Sequence, residues 1–545
     1  MNARALCWIR IVALGVCAAL SSLAQAAQVE ASGQVRVHQS GQWGEAVPGV
    51  LVSNGRELVR TDSEGRYRIA VTPGQTVFVI KPPGWREVVD AGGEARHWRH
   101  HFPTGSPALR HGGIASTGTA TSGWDFGLVP EPAATDHLDM LVFGDPQPNS
   151  MRQVDYFQRD IIAPLLDRAD AAPPGSAQSV FAGRPAQLGI TLGDIVNDDL
   201  SLYPAMRAAH ARLGLPWLYV AGNHDLDFDA ASDADSLLTF RRHFGPDTFA
   251  WETAQASLIV LDNVVYLPGQ SPEYIGGLRE EQLEFLRAYL DTLAPGRRLL
   301  IAAHIPFHDE PQRREGFRRA DRERLFALLA RFPDTLLLTA HTHTQRHYRH
   351  RQADGWRGQA PLHEYNVGTS NGGFWGGLED AEGIPDAVMM DGTPNGFARV
   401  SMPMTGDYAL SWEVARQPDH PGLALHAPRV LRRGAYPGVG LFANVFMGEV
   451  GSRVEYRIDG GDWLPMTHVM RADPRVLAIN LADDAAPTLR ARDRTPEASV
   501  SWHLWRTSLR TDLAPGEHEV EVRAQDRWRG ELRATTRYRL IEHSP

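Results

Sequence analysis

Five short apolar runs each end in residues able to bind a divalent cation. Leu141-Val-Phe-Gly144 leads into Asp145-Pro-Gln147, and Ile190-Thr-Leu192 into Gly193-Asp194-Ile-Val-Asn197. Leu218-Tyr-Val-Ala221 leads into Gly222-Asn223-His224-Asp225. Leu300-Ile-Ala-Ala303 leads into His304, and Leu336-Leu-Leu-Thr-Ala340 into His341-Thr-His343. Carboxylate, amide oxygen and imidazole suit hard or borderline ions such as Mn, Fe and Zn. One carboxylate can bridge two ions about 3.5–4 Å apart, and such a pair polarises a phosphoryl group and lowers the pKa of a bridging water. The chemistry to expect is attack of water on a phosphate ester. His341 and His343 stand two apart, so on an extended segment both would face one way and each could serve a different ion.

Such residues need a frame that brings distant stretches together. Apolar runs of strand length recur at 138–143, 187–192, 216–220, 257–261, 299–303 and 335–339. Helical periodicity lies between several of them, with Leu283, Leu286, Leu290 and Leu293 at three- and four-residue steps in 279–293, and a second pattern over 321–331. Strands alternating with helices predict a layered α/β domain over about 136–415. In open α/β sheets the ligand crevice lies beyond the carboxyl ends of the strands, which is where these polar residues fall.

The order Asp-x-Gln, Gly-Asp-x-x-Asn, Gly-Asn-His-Asp, His and His-x-His resembles the calcineurin-like metallophosphoesterase family over about 136–399. Each motif alone is weak, and all five in order after apolar strands are specific. The resemblance implies a four-layer αββα sandwich with a dinuclear centre at the strand ends. It assigns Asp145, Gln147 and His343 to one ion, Asp194 to the bridge, and Asn223, His304 and His341 to the other. His224 would contact the substrate phosphate or protonate the leaving oxygen, and Asp225 would orient it. Two departures stand out. Gln147 replaces the commoner histidine, and an amide oxygen binds metal more weakly. Ala340 replaces the usual glycine.

Downstream lie two Gly-rich stretches, 366–377 and 390–397. Functional loops often have this composition. One reading stacks Phe374 and Trp375 on the leaving group, with Asp391 or Asn395 hydrogen-bonding it; the other is a pair of structural turns around a packed tryptophan. His308 and His347 could also reach the pocket, with a solvated surface role the readier reading for each, and Asn197 and Asp198 read as turn residues.

The flanks are patterned differently. Residues 28–130 hold short alternating runs between turn signals such as Asn54-Gly55 and Pro73-Gly74, which predict a β-sandwich resembling the carboxypeptidase-regulatory-like (transthyretin-like) module. Residues 417–545 return to β patterning, with alternation over 453–458 and 515–523 and a charged loop over 483–494. The whole reads as an α/β core between two all-β sandwiches, which could touch an envelope glycan or protein.

The chain of 545 residues has a net charge of -10, which argues against nucleic acid as a partner. Arg4 and Arg10, the apolar run 11–23 and Ala24-Gln25-Ala26 form a signal-peptide pattern over 1–26. This predicts export, to the periplasm of a Gram-negative cell or beyond, with no transmembrane segment left in the mature chain. Cys7 and Cys17 both lie in this segment, so the metal ligands must be nitrogen and oxygen. A phosphomonoesterase or phosphodiesterase is the leading expectation. The alternative is a non-enzymatic envelope-binding protein built on a degenerate scaffold.

Overall fold

The computed structural model describes residues 28–88, 97–131, 135–171, 184–309, 315–436, 438 and 440–542. The expected signal segment, with both cysteines, lies outside the described residues. Among the described residues no helix is long and apolar enough to cross a membrane.

The central region forms two mixed sheets. The first is ordered Trp217–Val220, Leu188–Leu192, His137–Phe143, Gly396–Pro403, Ala409–Val414; its first three strands are parallel and its last two antiparallel. The second is ordered Phe249–Glu252, Ser257–Val260, Leu299–Ala302, Thr335–Thr339, Leu362–Asn366, Arg346–His350, with the middle four parallel. The parallel strands carry near-continuous apolar sequence because both their faces are covered. One hydrophobic core spans both sheets, from Val142 and Ile190 to Ile301 and Leu337. Phe157 and His210, on flanking helices, meet Phe143 and Trp217 of the first sheet. Helices Glu280–Leu290 and Arg319–Leu329 bury Leu283, Leu286, Leu325 and Phe326 in the same core. The result is the four-layer α/β sandwich.

Each flank is strand-rich and closes its own small core. The first flank also contributes Leu51, Phe78 and Ile80 to the central core, and Phe78 meets Phe285 edge-on at 5.9 Å. Lys81, the one lysine, is buried here: its carbonyl accepts from Glu252 N and its Nζ lies 5.1 Å from the Trp251 ring. In the last flank the helix Pro474–Ala485, capped by Asp473, runs into the stretch expected to be a charged loop. Its acids at 483 and 484 sit at the helix end and pair with Arg490 and Arg494, which the residue pattern alone does not reveal.

Candidate metal centre

The candidate ligands sit where the parallel strands end, and the backbone there is strained. Of the eleven described non-glycine residues with positive φ, eight lie in these loops: Asp145, Gln147, Asp194, Asp198, His341, His343, Phe374 and Trp375. Each such residue costs about 1–3 kcal/mol, and strain of this kind concentrates at functional sites. The expected extended His341-Thr-His343 segment is therefore corrected: at φ of 71° and 54° both histidines occupy the left-handed region. The bends still bring both imidazoles to the centre. Two glycines permit the close approach. A Cβ on Gly193 would lie 2.4 Å from His304 Nδ1, and one on Gly222 would lie 2.2 Å from the Asp194 backbone nitrogen.

His304 is the hub. Its Nδ1 donates to the Leu192 carbonyl at 2.7 Å, which turns Nε2 inward. That nitrogen lies 3.0 Å from Asn223 Oδ1, 3.2 Å from His341 Nδ1 and 3.3 Å from Asp194 Oδ2. A single proton on Nε2 can serve one of these acceptors at a time, whereas a cation serves them all. Donor atoms of Asp194, His304 and His341 all fall within 4.8 Å of one another. Asp145 lies beside them, with Oδ1 3.8 Å from His343 Nε2 and 4.0 Å from His304 Nδ1. The donor set is nitrogen and oxygen alone, and it fits divalent metal.

The acids and histidines of the cluster shift one another strongly. Burial and the neighbouring Asp194 carboxylate push Asp145 up, while His304 and His224 overcome burial to hold Asp194 down. Burial pulls His304 down, but Asp194 and Asp145 outweigh it and hold the ring at about 9. Burial drives His341 to about 3 and His343 to about 4, which leaves both rings neutral with lone pairs ready to coordinate.

His224 stands at the edge of this group, and its partner is Asp198, not Asp225. His224 Nδ1 lies 2.7 Å from Asp198 Oδ1. Asp225 is fully buried and accepts from Gly222 N, Ile195 N and the Tyr203 hydroxyl. It shapes the loop that carries Asn223 and His224, and the role expected for it passes to Asp198. Gln147 is held by two asparagines: its Nε2 donates to Asn197 Oδ1 at 3.2 Å, and its Oε1 lies 3.5 Å from Asn371 Nδ2.

A family model described as calcineurin-like phosphoesterase matches residues 138–345, and one described as the C terminal of calcineurin-like phosphoesterase matches residues 364–531. The chain belongs to the calcineurin-like metallophosphoesterase family. It is a metal-dependent phosphoric ester hydrolase. No curated protein matches it. Among solved structures, the metallophosphoesterase is similar to a dimetal phosphatase from Danio rerio at 14% identity, covering 50% of this chain and 98% of that one with a TM-score of 0.30. It is also similar to a purple acid phosphatase from yellow lupin (Lupinus luteus) seeds at 12% identity, covering 71% of this chain and 67% of that one with a TM-score of 0.36.

In this phosphoesterase the Gly-rich stretches divide into one residue at the centre and three that support it. Phe374 is 36% exposed, and its ring lies 4.9 Å from the His343 ring. Trp375 is buried and donates from Nε1 to Asp160 Oδ2 at 2.9 Å. Asn395 donates to the same oxygen at 2.7 Å, and Arg416 Nε donates to Asp160 Oδ1 at 2.8 Å. Asp391 is fully buried beneath Gln345. The Trp375 indole, the Asn395 amide nitrogen and the Asp391 carboxylate are thus engaged inside the protein. His308 is buried and His347 half-buried. His308 stacks on Tyr348 and lies 3.3 Å from Glu364; His347 Nδ1 lies 3.0 Å from His363 Nε2. One aromatic that the residue pattern did not single out borders the centre: the Tyr274 ring lies 6.1 Å from His341, edge to face.

Proposed function

We propose that this metallophosphoesterase is an exported hydrolase of phosphomonoesters or phosphodiesters that works with two divalent ions, drawn from Mn, Fe and Zn. The observation that carries the reading is the crowd of acceptors around His304 Nε2. Asp145, Gln147 and His343 would hold one ion, Asn223, His304 and His341 the other, and Asp194 would bridge. When bound, such a pair polarises the phosphoryl group and lowers the pKa of water.

The protein's own groups do the rest. The buried carboxylate of Asp194, held ionised by His304 and His224, supplies negative charge in a site of low dielectric. His224, part-exposed and anchored by Asp198, is placed to hand a proton to the departing oxygen. Its ring is held up at about 9 because Asp194 and Asp198 outweigh burial, so it carries that proton near neutral pH. Phe374 offers an exposed apolar face beside His343, which suits an apolar or planar group on the ester.

Metal analysis of the purified protein with a panel of aryl phosphate mono- and diesters tests the reading. Hydrolysis that is lost with chelator and restored by a divalent ion is expected. A protein that binds no divalent metal, or binds it and turns over none of the esters, refutes it. Export rests on the N-terminal pattern of Arg4, Arg10 and the apolar run 11–23. Recovery of the full-length chain from the cytoplasm, with residues 1–26 still attached, would rule that part out.

A further inference from the structure

The segment from His341 to Thr344 is a run of bends with no strand or helix pairing of its own, and two of its residues sit at positive φ. Something outside it must hold its ends. Upstream, His341 N donates to Asp145 Oδ2 at 3.1 Å. Downstream, Gln345 N donates to Asp391 Oδ2 at 2.7 Å. A carboxylate thus clamps each end of the bend.

The downstream clamp is set by the C-terminal sandwich. The strand Val500–Ser508 brings His503 Nε2 to 3.1 Å from the same Asp391 oxygen. His503 Nδ1 lies 2.7 Å from Asn444 Oδ1, and Asn444 Nδ2 donates to the Asp391 carbonyl and to Asp473 Oδ2, each at 2.8 Å. Asp391, Gln345, Asn444, Asp473 and His503 are each at most 1% exposed. In so dry a place the geometry of each hydrogen bond is enforced, because an unmade one costs about 1–3 kcal/mol. The neighbouring Trp502 ring lies 3.5 Å from the Arg346 guanidinium carbon, and Glu449 pairs with Arg349 at 2.8 Å. Two groups of the C-terminal sandwich therefore grip Arg346 and Arg349 directly, and a third, His503, holds Gln345 through Asp391, two residues past His343.

We propose that the C-terminal sandwich is a working part of the metal centre, with His503 acting through Asp391 as a positioning residue for the His341-Thr-His343 bend. The inference rests on the reading that these two histidines are ligands. It also gives the covalent continuity of the two regions a purpose: within the core Asn366 holds the middle of the bend, donating to Thr342 Oγ1 and to the Thr344 carbonyl at 2.7 Å each, and the sandwich fixes its downstream end through Asp391. Partners of this kind hold ligands in place, and their loss costs about 10–100-fold in metal affinity.

The experiment is Mn titration, by calorimetry, of the full-length protein and its His503→Ala and His503→Gln variants, each checked for fold by circular dichroism. Folded His503→Ala should bind one ion at least tenfold more weakly than wild type. His503→Gln, which can keep a donor toward Asp391, should recover most of that loss. Equal affinities for all three proteins, with only a lower Tm in the variants, overturn the proposal and leave an ordinary domain junction. Should neither variant fold, hydrogen exchange on the unaltered protein decides. Added Mn should slow exchange over residues 341–345 and 500–505 together, and protection confined to 341–345 counts against it. A wild-type protein that binds no Mn, Fe or Zn instead defeats the underlying functional reading.

Discussion

His224 Nδ1 and Asp198 Oδ1 lie 2.7 Å apart, and Asp198 reaches that position from a left-handed backbone at φ 64°. The pair joins two loops, since Asp198 follows the Leu188–Leu192 strand and His224 the Trp217–Val220 strand. Asp198 sets the ring's orientation, so the two residues should act as a unit. His224→Ala should lower kcat by about 10²–10⁴, the usual worth of a positioned acid. Asp198→Ala should lower it by about tenfold or more, and the double variant should be no slower than His224→Ala alone. Losses that multiply in the double variant would disprove the pairing.

Asp225, by contrast, holds two backbone amides and the Tyr203 hydroxyl in a fully buried setting. Removing its carboxyl strands three donors away from water. Asp225→Ala should therefore cost stability, about 3 kcal/mol or more by the penalty for unpaired buried groups. Urea unfolding measures this. A variant with wild-type stability and a selective fall in kcat would return Asp225 to the role of His224's partner.

Buried neutral histidines make the fold acid-sensitive. Burial drives His210 down to about 3 from an ordinary value near 6.5; its ring stacks on Trp217 at 4.6 Å and its Nδ1 lies 3.1 Å from the Tyr219 hydroxyl. Between those two pH values the unfolded chain binds a proton there and the folded chain does not. Stability must then fall as pH drops from about 6.5 toward 3, by at most about 1.4 kcal/mol per pH unit for this group. Asp145, pushed up, has the opposite sign, so the slope due to His210 is best read as a difference. His210→Phe should flatten the stability profile over that window relative to wild type. Parallel profiles from pH 7 to 4 would exclude the assignment.

What the residue pattern reveals here is what is local. The strand expected over 335–339 is the strand Thr335–Thr339, and the helix expected over 279–293 is Glu280–Leu290, because period and apolar content decide both. The ligand candidates are visible for the same reason, each within a few residues of its strand end. The contact of Asp198 with His224 is not legible in the sequence, because its direction depends on one backbone angle. Asp391 reads as a pocket residue in the sequence because its partners Gln345 and His503 are 46 and 112 residues away. Asp160, which anchors Trp375 from 215 residues away, has no local signal at all.

Phe374 and Trp375 are neighbours in sequence with different duties, and substitution should separate them. Trp375 is 1% exposed, with its indole bound to Asp160 and its ring 6.3 Å from that of Tyr156. Trp375→Ala opens a large cavity and leaves Asp160 one donor short, so a loss of about 3–5 kcal/mol is expected. Phe374 is over a third exposed, and the chain holds it there at a φ of 59°, with its carbonyl taking a 3.0 Å hydrogen bond from Gln153. Phe374→Ala should change stability by no more than about 1 kcal/mol while raising KM several-fold for aryl esters, since a lost aromatic contact is worth about 0.5–1.5 kcal/mol. An alkyl phosphate of similar size should show a smaller change in KM. If Phe374→Ala instead loses metal with its KM values intact, the ring serves to seat His343 and the substrate contact must be sought at Tyr274.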